Sequence, residues 1–246
     1  MKHKMSKTFV IGDIHGGLKA LKQVLDRANV SSNDKLIFLG DYVDGWSDTP
    51  AVLDFLIDLS TKYTCVFMQG NHEEMLLKWL KKEDDDELWR FHGGEVTVEA
   101  YQNIALCVIE KHITFLEKLN EYHIDSENRL FVHAGFSHLK GVAFEYFRGM
   151  FWWDRTLWET AMAVDGTLSP NSIRYPQRLK LYKEIYVGHT PVIRFGSAVP
   201  MNFANVWNVD TGAAFTGKLS ILNVDTKEYW QSDSLPSLYP NEKGRN

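Results

Sequence analysis

The chain has 246 residues, a formal net charge of −5 and a hydrophobic fraction of 44%. These values are ordinary for a globular protein and exclude a disordered, collagen-like or disulfide-stapled chain. The acidic balance gives no bulk attraction to nucleic-acid phosphates, so we expect no nucleic-acid partner. Without a run of about 18 apolar residues or an apolar N-terminal region, we expect no membrane association and a cytoplasmic location.

The first third of the sequence alternates β-prone runs with helical patterns. The six segments, in chain order, are residues 8–11, 18–28, 35–39, 51–59, 64–68 and 73–80. This β-α-β-α-β-α order predicts parallel strands joined by crossover helices that cover both faces of a sheet. In such sheets, ligands bind beyond the carboxyl ends of the strands.

The rest of the chain is less regular. Residues 89–119 are predicted to be mainly helical with a break at Gly93-Gly94, and residues 144–158 to be helical in part. Further short strands are predicted at residues 130–132, 185–187, 206–209, 219–224 and 228–231, the last two joined by a hairpin turn at 225–227.

We predict a single domain over residues 8–231. Residues 1–7 are expected to form a disordered lead, and residues 232–246 a loosely held polar tail. The two cysteines, Cys65 and Cys107, have no partner at metal-ligand spacing and are expected to be reduced thiols.

Five predicted strands end in polar, glycine-containing motifs. A lone aspartate after a strand is usually a cap or a turn former, and a lone histidine is usually structural. Five such motifs in one chain instead indicate a shared site. The motifs are Gly12-Asp13-Ile14-His15-Gly16, Gly40-Asp41-Tyr42-Val43-Asp44-Gly45, Gly70-Asn71-His72-Glu73, His133-Ala134-Gly135 and Gly188-His189-Thr190.

The residue types in these motifs suit divalent metals. Carboxylate, imidazole and amide ligands favour Mn, Fe or Zn, and the lack of thiolates argues against a structural zinc site. A two-metal site needs ligands for each ion and a bridging carboxylate. The candidate ligands are Asp13, His15, Asp41, Asn71, His133 and His189.

The order of these motifs over residues 12–190 resembles that of the phosphoprotein phosphatase family, within the calcineurin-like metallophosphoesterases. The resemblance implies an α/β fold (α+β in some schemes), with a four-layer β-sandwich flanked by helices. It implies two divalent ions, with manganese expected first and iron or zinc as alternatives, bridged by Asp41. It also implies that His72 is the general acid and that Asp44 holds it by a hydrogen bond.

The resemblance extends to substrate contacts. Trp153-Asp154-Arg155 is similar to a bacterial segment with a phosphate-binding arginine, so Arg155 is expected to bind phosphate together with Asn71 and His72. Residues 89–101 are similar to a Trp…Gly-Gly…Thr…Tyr stretch of bacterial members, which implies a bacterial or phage-type enzyme.

The chain departs from the family at two phosphate-binding positions. Gly45-Trp46 stands where the second motif usually has Arg-Gly, and Gln69 stands where an arginine usually precedes the third motif. Neither Gly nor Gln can replace the bidentate, charge-assisted hydrogen bonds of an arginine. Either Arg155, with Arg148 or Arg174, compensates, or the substrate differs from a phosphoserine peptide.

The resemblance implies a phosphoesterase in which a hydroxide that bridges two metals attacks phosphorus. The main hypothesis is a serine/threonine protein phosphatase, with tyrosine specificity as a variant. The alternative is a nucleotide hydrolase like the symmetrical diadenosine tetraphosphatases, and a remote one is a non-catalytic binding module. The expected partner is a phosphoprotein or a phosphorylated small molecule.

Overall fold

The computed structural model of the protein describes residues 6–245. Residues 1–5 of the expected N-terminal lead lie outside the described residues. Ser6 and Lys7, the other two residues of that lead, contact the domain. The Ser6 hydroxyl donates to the Asn33 carbonyl at 2.6 Å, and the Lys7 backbone amide donates to the Asp34 carboxylate at 2.9 Å.

Two five-stranded mixed sheets form the centre of the described chain. Their strands are β1 (Thr8–Ile11), β2 (Lys35–Phe38), β3 (Thr64–Phe67), β4 (Tyr122–Ile124), β5 (Arg129–Val132), β6 (Glu184–Val187), β7 (Met201–Phe203), β8 (Val206–Asn208), β9 (Ser220–Asn223) and β10 (Tyr229–Gln231). The first sheet has the order β10-β9-β1-β2-β3 and the second has the order β4-β5-β6-β8-β7. Strands β1, β2 and β3 are mutually parallel, as are β5, β6 and β8.

Helices connect the parallel strands and cover the outer faces of the sheets. They are α1 (Leu18–Arg27), α2 (Thr49–Ser60), α3 (Asn71–Leu80), α4 (Glu87–Trp89), α5 (Glu95–Tyr101), α6 (Leu106–Leu116), α7 (Met150–Trp153), α8 (Thr156–Ala163) and α9 (Leu235–Leu238). A π-helical turn joins α4 to α5, and Gly93, with φ of 110°, breaks the helix where the sequence predicts a break. No helix within residues 6–245 is long and apolar enough to cross a membrane.

The two sheets pack face to face through a shared apolar layer. Because side chains alternate along a strand, Val10 and Ile37 point inward while their neighbours face the helices. The rings of Phe131 and Tyr186 stack at 4.9 Å within this inner layer. Separate apolar clusters lie between each sheet and its helices. The predicted α/β fold, with two sheets flanked by helices, is confirmed.

The sequence patterns missed β4 and β7. Each has three residues and lies at an edge of the second sheet. Three residues are too few for a period-two pattern, and the equally short β10 is predicted through the hairpin turn at residues 225–227. Helix α2 begins at Thr49 rather than at residue 51, because Pro50 occupies the first turn, where its missing N–H is not needed.

The final segment differs from the loosely held tail expected for residues 232–246. Within its described part, Leu235 and Tyr239 are buried. The ring of Tyr239 stacks on that of Trp46 at 5.3 Å, and its hydroxyl donates to the Asp48 carboxylate at 2.6 Å. The composition of the segment does not predict these contacts, because polar residues surround Leu235 and Tyr239.

Candidate metal centre and active site

The five polar motifs meet at one end of the sandwich. Motifs after β1, β2 and β3 come from the first sheet, and those after β5 and β6 come from the second. Since the parallel strands of each sheet end at the same edge, side chains far apart in sequence converge there. The predicted ligands are all buried, with exposed fractions between 0% and 7%: Asp13, His15, Asp41, Asn71, His133 and His189.

Unusual backbone conformations aim these side chains inward. His15, Asp41, Asp44 and His189 have positive φ values of 51°, 51°, 70° and 65°. Aspartate and histidine are among the residues that enter this left-handed region more often than most. A Cβ atom on Gly188 would overlap a carboxylate oxygen of Asp13, so the close approach there requires glycine.

Asp41 lies between two groups of ligand atoms. One group combines it with His15 and His72, the other with His133 and His189, and the atoms of each group lie within 4.8 Å of one another. The Asp41 carboxylate is 3.6 Å from His15 Nε2 and 3.4 Å from His133 Nε2. This central placement is what a bridging carboxylate requires.

The other predicted ligands border the same centre. Asn71 Oδ1 is 3.2 Å from His133 Nε2, and Asp13 Oδ2 is 3.9 Å from His15 Nε2. The backbone amide of His189 donates to Asp13 Oδ2 at 3.0 Å. The fold thus brings all six candidate ligands together.

The histidine rings are oriented for metal binding. Nδ1 of His15 and of His133 pairs with the carbonyls of Val43 and Leu39, at 3.1 and 2.9 Å, which leaves each Nε2 free to bind a cation. Among the described residues, His189 Nε2 is buried without a hydrogen-bond partner. A buried polar atom without a partner is costly, so this donor set fits divalent ions.

Charges in the centre are strongly perturbed. Burial lowers the pKa of His15 and His189 well below the usual value, which keeps both rings neutral and able to bind metal. Burial, with nearby Asp210 and Asp41, raises the pKa of Asp13. Burial opposes ionisation of Asp41, yet the neighbouring His133 and His72 hold its pKa well below the usual range. Divalent cations would relieve the repulsion among these carboxylates.

His72 and Asp44 form a buried pair beside the ligands. His72 Nδ1 lies 2.6 Å from Asp44 Oδ2, while His72 Nε2 has no partner among the described residues. The indole N–H of Trp89 donates to Asp44 Oδ2 at 2.7 Å, and the Thr97 hydroxyl donates to Oδ1 at 2.7 Å. Asp44 is therefore fixed by donors from α4 and α5, the stretch that the sequence singled out without a role.

Sequence reasoning also missed two carboxylates. Glu73, in the first turn of α3, accepts from the backbone amides of Asp41, Tyr42 and Gly70 at 2.8, 2.7 and 2.9 Å. It joins the second and third motifs. Asp210 is buried close to the ligands, and burial raises its pKa to about 6. Its signal was the Asn208-Val209-Asp210-Thr211 run at the end of β8, in which three of the four residues are polar.

A cavity of about 330 Å³ opens beside Asn71 and His72. Arg155 lines it and donates to the Thr190 hydroxyl at 3.1 Å. Of the other two arginines considered as replacements, Arg148 pairs with Glu121 instead, and Arg174 is exposed away from the cavity lining. Two arginines that the sequence did not indicate, Arg194 and Arg245, complete the lining.

Aromatic rings also border this cavity. Trp89, Trp153 and Phe215 line it, and Trp153 is 46% exposed. In the aromatic-rich span 144–158, Phe151, Trp152 and Trp158 are buried in the core, as sequence reasoning expects by default. Trp153 is the member of that span that faces the cavity.

Comparison with known proteins gives one family. The chain is 25% identical to the asymmetrical bis(5'-nucleosyl)-tetraphosphatase of Oceanobacillus iheyensis, over 91% of this chain and 90% of the relative. The crystal structure of a candidate diadenosine tetraphosphatase matches with a TM-score of 0.63 and 20% identity, over 94% of this chain and 95% of that one. A cold-active protein-tyrosine phosphatase of a psychrophilic Shewanella matches with a TM-score of 0.58 and 15% identity, over 93% and 81%.

These two structures share the fold of this chain. The family model described as calcineurin-like phosphoesterase matches residues 6–212, which contain all five motifs. The chain therefore belongs to the calcineurin-like phosphoesterase family.

Proposed function

We propose that the protein is a metal-dependent hydrolase of dinucleoside polyphosphates. The observation that carries this proposal is the cavity beside His72, where three arginines and three aromatic rings line one space. Guanidinium groups suit a chain of phosphates, and the partly exposed indole of Trp153 suits a stacked base. The activity for which the Oceanobacillus relative is named supports the same substrate class.

The protein phosphatase hypothesis is less well supported. A phosphopeptide carries one phosphate dianion, which does not match the three guanidinium groups that line the cavity. The symmetrical diadenosine tetraphosphatase alternative is closer, although the relative is named asymmetrical. We infer that the enzyme cleaves the polyphosphate chain, and the assay below determines which bond is cleaved.

Six side chains are proposed to hold two divalent ions. Asp13, His15 and Asp41 would hold one, and Asn71, His133 and His189 the other, with Asp41 shared. Metals bound there would acidify water and offset charge on the phosphoryl oxygens. Asn71, which also lines the cavity, is suited to donate its amide N–H to a phosphoryl oxygen.

His72 is proposed to protonate the leaving oxygen. Its Nδ1 is held by Asp44, so Nε2 is the atom that can carry a proton toward the cavity. The Asp44 carboxylate also fixes the orientation of the imidazole ring. General acid catalysis of this kind contributes about 10²- to 10⁴-fold.

The test compares two substrates on the manganese-loaded protein. We expect kcat/KM for diadenosine tetraphosphate to exceed that for a phosphoserine peptide at least about 100-fold. Chromatography of the nucleotides separates cleavage to ATP and AMP from cleavage to two ADP. Asp41→Asn, assayed alongside, should abolish turnover and so exclude a contaminating phosphatase. A preference for the peptide would overturn the proposal.

A further inference from the structure

The C-terminal segment binds the loop that follows β2. The Glu242 carboxylate accepts from the backbone amide of Ser47 at 2.9 Å and from its hydroxyl at 2.8 Å. Trp46 stacks on Tyr239, and a Cβ on Gly244 would come within 2.8 Å of the Trp46 ring. Residues 46 and 47 therefore fix the path of the segment toward residue 245.

This path delivers Arg245 to the active-site cavity. Its backbone amide donates to the Ala214 carbonyl at 2.8 Å, and its Nε donates to the His92 carbonyl at 2.9 Å. The guanidinium also lies 5.5 Å from the centre of the Phe215 ring. Within residues 6–245 neither terminal nitrogen of Arg245 has a hydrogen-bond partner, so both are left to bind another group.

Two glycines make room for the Arg245 stem. A Cβ on Gly45 would lie 3.1 Å from Arg245 Cγ, and a Cβ on Gly93 would lie 2.9 Å from it. The backbones of the two glycines are hydrogen-bonded to each other at 3.1 Å, and both have positive φ. The arginine stem thus fills the space that a side chain at position 45 would need.

The charges around Arg245 favour the binding of an anion. Arg155, Arg194 and Arg245 line one cavity together with Asp86, and none of the three arginines forms an ion pair among residues 6–245. Partial burial and the two neighbouring guanidinium groups lower the pKa of Arg155. The attraction of Asp41 and Asp210 offsets part of the repulsion among the three guanidinium groups, and a bound polyanion would relieve more of it.

We propose that Arg245 binds substrate phosphate and takes the place of the arginine missing at Gly45. Glycine at 45 admits the Arg245 stem, and Trp46 anchors the segment that carries it. Gly45 and Trp46, which stand where the second motif usually has Arg-Gly, are then parts of one arrangement. The proposal rests on the proposed function only in taking the anion to be a polyphosphate.

The test measures binding of inorganic tripolyphosphate to the full-length, manganese-loaded protein by calorimetry. Arg245→Met keeps the aliphatic stem over the glycines and removes the charge. We expect its Kd to rise about 10- to 100-fold, because a charge-assisted hydrogen bond is lost. The Kd of Arg245→Lys should lie between that of Arg245→Met and that of the parent protein, since lysine keeps the charge but not the planar guanidinium fork.

The matched control is Lys243→Ala, an exposed cation in the same segment, which should leave Kd within about twofold of the parent. Arg245→Gln is a second neutral variant if the Met variant melts at a lower temperature. A Kd unchanged in both neutral variants would overturn the proposal. Binding needs no turnover, so failure to cleave dinucleoside polyphosphates would leave this result interpretable.

Discussion

At the scale of single residues, Asp44 shows how the site is held. Its two carboxylate oxygens are bound by His72, Trp89 and Thr97, and its backbone amide donates to the Thr49 hydroxyl at 3.1 Å. An aspartate buried to 0% exposure must be satisfied in this way. Trp89, Thr97 and Thr49 therefore set the orientation of the His72 ring through Asp44, although none of these three is proposed to touch the substrate.

We predict that Thr97→Val lowers kcat about 10-fold without loss of metal. The substitution keeps the shape but removes one donor to Asp44, so the carboxylate holds His72 less firmly. The loss should be larger for substrates with poor leaving groups, because those depend most on the acid. Kinetics with aryl phosphates of graded leaving-group pKa would show this.

The matched control for that variant is Thr114→Val, which changes an exposed threonine on α6. It should behave like the parent protein. If Thr97→Val lowered kcat equally for substrates with good and with poor leaving groups, this result would contradict a link between Thr97 and the general acid His72.

A second residue-scale prediction concerns the thiols. Cys107 is exposed, whereas burial raises the pKa of Cys65 to about 12. At pH 8 the thiolate is the reactive form, so Cys65 should react about 10³-fold more slowly than an ordinary thiol. Titration with a chromogenic disulfide should show one fast thiol per folded chain and two after unfolding. Cys107→Ser should remove the fast phase, and its persistence would contradict the assignment.

At the scale of elements, the start of α3 joins two of the polar motifs. The helix begins at Asn71, and the Glu73 carboxylate in its first turn accepts three backbone amides. Two of those amides belong to the loop after β2. One side chain therefore holds Asp41 and the helix that carries Asn71 and His72 in a common position.

We predict that Glu73→Gln lowers both stability and metal affinity. The amide cannot accept all three N–H groups, so one or two buried donors lose their partners, at a cost of about 2–4 kcal/mol. Displacement of the Asp41 loop should weaken metal binding about 10- to 100-fold. Urea unfolding and manganese calorimetry measure the two effects.

The neighbouring Glu74 provides the control. Its carboxylate binds Lys78 and the indoles of Trp152 and Trp153 rather than the loops of the site. Glu74→Gln should keep the parent metal affinity. A Glu73→Gln protein with unchanged Kd for manganese would rule out this organising role.

The sequence predicted most elements but not all the contacts around the site. The sequence itself predicts helices α1 and α2, because each has a long apolar pattern. It also predicts β1 and β2, because each β-prone run ends in Gly-Asp. The three-residue strands β4 and β7 carry no such local signal. The roles of Trp89 and Arg245 depend on partners 45 or more residues away, and a single sequence does not show such pairings.

At the scale of the molecule, the candidate metal site lies across the two sheets. Asp13, Asp41 and Asn71 follow strands of the first sheet, whereas His133 and His189 follow strands of the second. Cations bound there would cross-link both halves of the sandwich. Global stability should then depend on metal.

We predict that manganese raises Tm by several degrees. At a free concentration of 100 Kd, binding to the folded state alone adds about 2.7 kcal/mol for one site. For a chain of this size, each kcal/mol shifts Tm by about 2–4 °C. Calorimetry with and without a chelator measures the shift. Asp41→Asn should abolish it, and an equal shift in that variant would place the metal elsewhere.

The left-handed backbone conformations limit how well the molecule tolerates substitutions elsewhere. They occur at His15, Asp41, Asp44 and His189. Each such residue costs on the order of 1–2 kcal/mol, so the four together approach the whole stability of a typical domain. Glycine would relax these turns but would delete the ligands. The strain must therefore be opposed by the strands beneath. Cavity-forming substitutions at inner-layer residues such as Val10 or Ile37 should disorder the ligand loops before the sheets themselves separate.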